Sequence, residues 1–184
     1  MAIEQGFPYW RALGTAYRGW VTVRIGDVTE GMSLLRSGSA AYRATGSEAW
    51  TPQIIALLAA ACEIAGQIEE ALILLDEASQ IIGRSGERWF EAELNRQKGQ
   101  VLLRQGHAES AEELYRKALC IAREQEAKLW ELRAAVSLAR LRCDHGRRAA
   151  ARDLLAPVYD WFTEGFDTPD LKEAKALLDE LEGA

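Results

Sequence analysis

Apolar and small residues recur along this chain every forty positions, with no insertion or deletion between four consecutive copies. The pattern is clearest in residues 85–118, where two helical arrangements of apolar residues flank a Gly106-His107 break. The break and the small position seven residues before it form two columns: Gly26, Gly66, Gly106 and Gly146, and Gly19, Ala59, Gly99 and Ala139. Four columns follow the break: Gly31, Ala71, Ala111 and Ala151; Leu34, Leu74, Leu114 and Leu154; Leu35, Leu75, Tyr115 and Leu155; Gly38, Ala78, Ala118 and Val158. An aromatic residue begins each copy (Trp10, Trp50, Phe90, Trp130), so seven columns share one register and indicate an internal repeat.

These columns are typical of two helices that pack closely against each other. Small residues in the middle of one helix let the backbone of its partner approach, and leucines fill the space beside them. The glycine at the break favours the positive φ that ends the first helix and reverses the chain. One hairpin of this kind cannot bury its apolar face alone, so successive hairpins are expected to stack. The pattern therefore predicts an all-α fold, a right-handed α-solenoid of four helix–turn–helix repeats of ~40 residues.

The spacing of the small, glycine, alanine and aromatic columns resembles the tetratricopeptide repeat, whose usual period is about 34 residues. The longer period here predicts longer helices or a longer connection in each repeat. Arg18 and Lys98 stand where that motif usually has leucine, and no copy carries the proline that the motif has near its end. The resemblance is therefore to the superfamily of helical-hairpin repeats, and it implies a tetratricopeptide-like fold.

The repeats are expected to form one domain over residues 1–184, at about 7–46, 47–85, 86–126 and 127–165, followed by a capping helix at about 168–182. Thr168 is expected to cap that last helix, and Pro169 suits its first position. Its apolar stripe is Leu171, Ala174, Leu177, Leu178 and Leu181, with acids opposite. The almost wholly apolar segment 54–65 should be the most buried helix.

Composition adds few constraints on function. The net charge of −6 argues against binding nucleic acid without sequence preference, because phosphate contacts require clustered cations. No apolar run reaches the length of a membrane span and no signal peptide opens the chain, so a cytoplasmic location is expected. Three cysteines, Cys62, Cys120 and Cys143, fall in helical patterns and do not suggest a disulfide framework; Cys62 and Cys120 are expected to be small core residues.

The sequence offers no convincing catalytic or metal-binding set, so we expect no enzymatic activity, no cofactor and no metal. His107 and His145 both lie at turns between helices, and Cys143-Asp144-His145 lacks a second ligand cluster with zinc-like spacing. Neighbouring acids such as Glu112-Glu113 fall on second or terminal helices beside basic residues, which favours solvated helix surfaces. The aromatic residues that begin each copy are expected to pack between successive hairpins rather than to bind a ligand.

A binding function would reside on the first helix of each repeat, which lines the concave groove of stacked hairpins. The period predicts that this groove is aromatic and small at one end and rich in arginine at the other. Its candidate residues are Tyr17, Trp20, Arg24, Gln53, Glu93, Arg96, Gln100, Arg104, Arg133, Ser137 and Arg140. Arginine forks pair with carboxylates, so an acidic peptide would suit this surface. The alternative is that the arginines pair with Glu91, Glu93 and Glu131 and only solvate the surface.

Longer stretches, among them AYRATGSEAW, GERWFEAELNRQKGQVLL and WFTEGFDTPDLKEA, resemble the C-terminal helical region of certain bacterial signalling proteins. In that family a class III nucleotide cyclase domain and a signal-transduction ATPase domain precede a repeat arm. The resemblance implies an interaction or regulatory arm. The phosphate-binding motif GxxxxGK[ST] does not occur in this chain.

We therefore expect a non-catalytic module that binds a protein segment, or another domain of its own full-length chain, in its groove. Arg96, Arg104, Arg133 and Arg140 would be the charged anchors and Trp20 the apolar one. Two alternatives remain open. The chain could be a sensor arm that binds a small effector and acts on an attached cyclase or ATPase domain. It could also form homo-oligomers through an exposed end of the solenoid, with the first repeat the better candidate.

Overall fold

A computed structural model describes residues 7–183, and the regular structure in that range is entirely α-helical. The described helices are α1 (Pro8–Arg24), α2 (Val28–Arg43), α3 (Thr51–Ile64), α4 (Ile68–Ser85), α5 (Glu91–Arg104), α6 (Ala108–Glu124), α7 (Lys128–Asp144), α8 (Arg148–Tyr159) and α9 (Pro169–Glu182). The expected all-α fold of helical hairpins is thus confirmed. The chain forms two compact units, residues 1–90 and 91–184.

Unit 1 contains two helical hairpins, α1–α2 and α3–α4, and α2 packs on α3. Helix α3 is almost wholly enclosed: both Ile54 and Ile55 are buried, as are Ala59 and Cys62 on its other turns. The prediction that this apolar helix is deeply buried is therefore confirmed within unit 1. Burial raises the pKa of the Cys62 thiol to about 11, so that thiol stays protonated and behaves as a small apolar group.

The glycines of the first hairpin bring the backbones of α1 and α2 into direct contact. A Cβ atom on Gly19 would lie 2.7 Å from the backbone nitrogen of Leu35 and 2.8 Å from the carbonyl oxygen of Gly31. A Cβ on Gly31 would meet the Gly19 oxygen at 2.7 Å, and one on Gly38 would meet the Ala16 nitrogen at 2.6 Å. Glycine is therefore required at these positions by packing, despite its cost to helix propensity.

Unit 2 contains the hairpins α5–α6 and α7–α8 together with α9, which packs on both α7 and α8. One apolar core joins α6, α7, α8 and α9. The stripe expected on the capping helix is confirmed, because its five apolar residues all enter this core: Leu171, Ala174, Leu177, Leu178 and Leu181. The outward side of α9 carries the polar residues that keep a terminal helix soluble.

The predicted turns are also confirmed. Gly26, Gly66, Gly106 and Gly146 all have positive φ, between 73° and 106°, directly after the first helix of each hairpin. No Cβ atom would be obstructed at any of them. The glycine column is thus fixed by backbone conformation, whereas the small column seven positions earlier is fixed by space.

Three expectations about single residues are wrong. Thr168 does not cap α9 through its side chain; its hydroxyl donates to the carbonyl oxygen of Gly165 instead, 2.7 Å away. Cys120 is exposed, whereas its neighbours Leu119 and Ile121 on α6 are buried. Trp10 does not pack between hairpins, since 64% of its surface is exposed; Trp50 does meet another ring, that of Trp89.

In the third repeat the small column is occupied by Gly99, whose missing side chain makes room for the ring of Tyr115. A Cβ on Gly99 would lie 2.7 Å from Cε1 of that ring. The other three repeats have leucine at the position of Tyr115, and two of them have alanine at the position of Gly99. Gly99 and Tyr115 therefore form a matched pair.

We predict that Gly99→Ala lowers the free energy of unfolding by about 1–3 kcal/mol, because the added methyl group overlaps the Tyr115 ring. The double variant Gly99→Ala/Tyr115→Leu should recover most of this loss, since it recreates the Ala59–Leu75 and Ala139–Leu155 pairs. Urea unfolding measures both values, and Gly83→Ala, which meets no atom within 4 Å, is the control. Equal stability of Gly99→Ala and the parent chain would contradict this account.

Candidate functional site

The candidate residues of unit 2 lie on its first helices and on the terminal helix. Helix α5 packs on α7, and α7 packs on α9, whereas α6 and α8 do not pack on each other in the described part of unit 2. Unit 2 is therefore narrower on the side of α5, α7 and α9. We call the side of these three helices that carries Glu93, Arg96, Gln100, Arg133, Ser137 and Asp170 the inner face of unit 2.

A buried ion pair lies at the centre of the inner face. Glu93 is only 3% exposed, and its two carboxylate oxygens accept hydrogen bonds from Nε and Nη2 of Arg96, both 2.8 Å long. Gln97 donates a third hydrogen bond to the same carboxylate, 3.3 Å long. Burial disfavours the charge on Arg96, but the bonds to Glu93 outweigh that effect and raise the pKa of its guanidinium. Arg96 is thus held in one orientation by an acid one turn away.

Arg133 on α7 connects this ion pair to α9. Its Nε and Nη2 donate to the two carboxylate oxygens of Asp170 at 2.6 and 3.0 Å, and its Nη1 lies 3.7 Å from Oε1 of Glu93. Its guanidinium also lies 5.1 Å from the centre of the Trp130 ring. Burial opposes the charge on Arg133, and the Asp170 bonds raise its pKa in spite of that burial. The inner face therefore already shows one carboxylate bound in an arginine fork.

The remaining arginine and polar candidates surround this pair. Arg96 donates through Nη1 to Oε1 of Gln100 at 3.1 Å and to Oγ of Ser137 at 3.4 Å. Arg140 is 46% exposed in its side chain, and its nearest acid is Glu180 on α9, at 3.9 Å. Arg104 is exposed at the end of α5. The structure thus brings Glu93, Arg96, Gln100, Arg133 and Ser137 together and leaves Arg104 and Arg140 at the surface.

In unit 1 the four candidates form two pairs. The hydroxyl of Tyr17 on α1 donates to Oε1 of Gln53 on α3 across 2.7 Å, which joins the first helices of the two hairpins. The guanidinium of Arg24 lies 5.7 Å from the centre of the Trp20 ring, which is half-buried. Partial burial raises the pKa of Tyr17, so its hydroxyl remains a hydrogen-bond donor at neutral pH.

Sequence reasoning missed Asp170 as a member of the inner face. The forty-residue period gives no signal for it, because the position forty residues before Asp170 is Trp130. Glu131, proposed as a possible partner of the groove arginines, binds Arg123 and Lys128 instead, at 2.9 and 2.8 Å.

The expectation that Glu112 is a solvated surface acid is wrong. Only 13% of its side chain is exposed, and Arg147 donates to both of its oxygens at 3.1 and 2.9 Å. Arg116 donates to it at 2.6 Å, and Arg142 lies 3.9 Å away. The bonds from Arg147 are the largest of the effects that lower the pKa of Glu112. Glu112 therefore links α6 to the start of α8, away from the inner face.

A metal-ion site or a membrane-spanning helix would indicate a different function. Within residues 7–183 no group of three histidine, cysteine or acidic side chains is arranged to hold a metal ion. None of the described helices is both long and apolar enough to span a membrane.

Comparison with known proteins identifies the type of repeat. Residues 48–124 match a family model described as tetratricopeptide repeat. The structure is similar to the nearly identical TPR-like repeats of a Podosopora anserina protein named for kinesin light chain, with a TM-score of 0.71 and 20% identity over 96% of this chain and 87% of that chain. It is similar to BtubC (BKLC) from P. vanneervenii, with a TM-score of 0.74 and 18% identity over 90% and 69% of the two chains. A search of curated protein sequences finds no significant match.

A further similar structure is a tetratricopeptide repeat protein from Parabacteroides merdae, with a TM-score of 0.55 and 17% identity over 97% of this chain and 61% of that chain. At these identities the likeness establishes the fold, and the fold is tetratricopeptide-like. Such repeats generally serve as scaffolds for protein–protein interaction, because their stacked helices present extended binding surfaces. They are typically not catalytic.

We predict that Arg96→Ala lowers the free energy of unfolding by about 3 kcal/mol, because it leaves the Glu93 carboxylate buried beside a single, more distant guanidinium. The double variant Glu93→Leu/Arg96→Met should recover much of that loss, since no uncompensated charge remains. Arg152→Ala, which removes an exposed pair with Glu182, is the control and should change stability by less than about 1 kcal/mol. Urea unfolding that finds Arg96→Ala no worse than Arg152→Ala would show that the buried pair does not support the fold.

Proposed function

We propose that this chain is a non-catalytic protein-interaction module, and that the inner face of unit 2 binds an acidic peptide segment. The observation that carries the proposal is the fork of Arg133 around the Asp170 carboxylate, with both oxygens engaged. We expect an arginine of the same region to bind a carboxylate of a partner in the same two-bond geometry. The tetratricopeptide-like fold supports a protein partner over a small substrate.

The arginines on the inner face and those beside it have two different roles under this proposal. Arg96 and Arg133 are already paired with Glu93 and Asp170, and they hold the polar surface in place. Arg104 and Arg140 are exposed and would contact the partner. Arg140 lies 3.9 Å from Glu180, a loose contact between two exposed side chains that a partner carboxylate could replace at little cost.

Trp20 and Arg24 would have the corresponding role in unit 1. A tryptophan face with a guanidinium above it offers an apolar and a charged contact in one place. Gln53 and Tyr17, joined by their hydrogen bond, present an amide and a ring beside it. Unit 1 would thus carry its own set of contacts for a peptide segment.

The wider setting of the module is also part of the proposal. The resemblance of several stretches to the repeat arm of cyclase and ATPase signalling proteins suggests a regulatory arm in the bacterial cytoplasm, which binds a peptide or an adjacent domain. That resemblance rests on sequence alone. A sensor arm for a small effector and a homo-oligomerisation module remain the alternatives.

The test is titration of the full chain with a labelled glutamate-rich peptide at two salt concentrations, followed by fluorescence anisotropy. The double variant Arg104→Ala/Arg140→Ala should weaken binding about tenfold, since it removes two exposed charge-assisted contacts. Affinity for the parent chain should fall as salt rises. Arg152→Ala on α8, away from the inner face, is the matched control and should bind like the parent chain. Unchanged affinity in the double variant would exclude this site.

A further inference from the structure

Helix α1 carries an apolar face that the described residues of unit 1 leave largely exposed. Four large residues on it are exposed: Trp10 by 64%, Tyr17 by 37%, Val21 by 57% and Ile25 by 78%. Their spacing of seven, four and four residues places them on one side of the helix. Ala12, Ala16 and other residues on the opposite side are buried against unit 1. Helix α1 is therefore apolar on two sides, although only one of them is packed.

The internal repeat allows the exposed residues of α1 to be compared with the equivalent residues of later repeats. The positions forty and one hundred and twenty residues after Val21 are Ala61 and Leu141, and both are buried. Within each unit, the second helix of the preceding hairpin packs on the first helix of the next: α2 on α3, and α6 on α7. Trp130, which corresponds to Trp10, packs beside Ile121 and Ala122 of α6. The middle of the exposed face of α1, around Val21, is thus equivalent to positions that are buried elsewhere in the chain, whereas the positions equivalent to Ile25 are exposed in the other repeats.

Gly14 lies in the middle of this face and gives a second, independent indication. A Cβ there would meet no atom within 4 Å, whereas a Cβ on Gly19, Gly31 or Gly38 would strike the neighbouring helix. The glycines inside α1 and α2 that lie at an interface all serve a close backbone approach. Gly14 is likewise a glycine in the middle of an apolar helix face, but no neighbouring helix occupies the space next to it. It is suited to the close approach of a helix that is not part of unit 1.

The charges on α1 indicate the chemistry of that helix. Arg11, Arg18 and Arg24 border the apolar face, and α1 contains no acidic residue. Two copies of this face would bring their arginines together, which disfavours pairing of the chain with itself through α1. An acidic helix would pair with the arginines along both edges.

We propose that the exposed face of α1 docks an acidic amphipathic helix of a partner protein, in the place that the second helix of a preceding hairpin would occupy. The apolar side of the docked helix covers Trp10 and Val21, its backbone approaches Gly14, and its carboxylates pair with Arg11 and Arg18. This surface is separate from the inner face of unit 2, so the proposal does not depend on peptide binding there.

The probe is a labelled synthetic peptide with the sequence of α4, residues 68–85. It carries four carboxylates and one arginine, the most acidic of the second helices described in this chain. Its Ile81 and Ile82 stand forty positions before Ile121 and Ala122, the residues that pack beside Trp130. Fluorescence anisotropy with the full chain should show saturable binding.

Gly14→Leu should weaken that binding at least tenfold, because the new side chain fills the space for close approach. Gly83→Leu, at another exposed helical glycine with nothing within 4 Å, is the matched control and should bind the peptide like the parent chain. Arg11→Glu/Arg18→Glu should also weaken binding at least tenfold. A peptide whose four acids are replaced by lysine should bind at least tenfold more weakly.

Three results would overturn the proposal. The first is absence of peptide binding, or equal binding by the Gly14→Leu and Gly83→Leu variants. The second is a concentration-dependent dimer in sedimentation velocity that Gly14→Leu abolishes, because the face would then bind a second copy. The third is flotation of the chain with anionic phosphatidylserine vesicles that Gly14→Leu and Arg11→Glu/Arg18→Glu abolish, because the face would then bind a lipid surface. Glutamate-peptide binding to the inner face, measured on the same variants, should stay unchanged.

Discussion

The structure depends on the distance at which two helix backbones can approach each other. In the first hairpin, Gly19 of α1 and Gly31 of α2 face each other so closely that neither position has room for a methyl group. Elsewhere the same column holds alanine, or holds Gly99 where a tyrosine ring replaces leucine. These contacts fix the distance between the two helices of a hairpin. That distance determines which side chains can pack on the next hairpin and which stay exposed to solvent.

The polar character of the inner face of unit 2 is a consequence of helix packing. Residues of α5, α7 and α9 that face away from the second helices cannot enter the apolar core, and the chain places alternating charges there. Glu93, Arg96, Arg133 and Asp170 form a connected set of two acids and two arginines, whose formal charges cancel. A partner would therefore meet an ordered surface, with exposed arginines at its edge, and would lose little conformational entropy on the protein side when it binds.

Much of the fold could be predicted because the repeat is encoded in columns. Glycine at a turn and a small residue seven positions earlier each have a local physical cause, so the turn inside each hairpin can be predicted from the sequence. Single contacts were harder, since they depend on side chains from distant helices. Glu112 looked solvated beside Glu113, but arginines from α7 and the start of α8 surround it. Asp170 lies on the inner face because α9 packs on α7, and this packing of distant helices is not visible in the local sequence.

The close approach of α1 and α2 is the central claim, and nuclear magnetic resonance tests it most directly. Cross-relaxation between the α protons of Gly19 and Gly31 occurs only if the two backbones are in contact. The structure predicts a strong nuclear Overhauser effect between these protons, together with one from Gly19 to the amide proton of Leu35. Absence of both effects in a folded, helical sample would contradict the packing from which the hairpins, the inner face and the exposed face of α1 all follow.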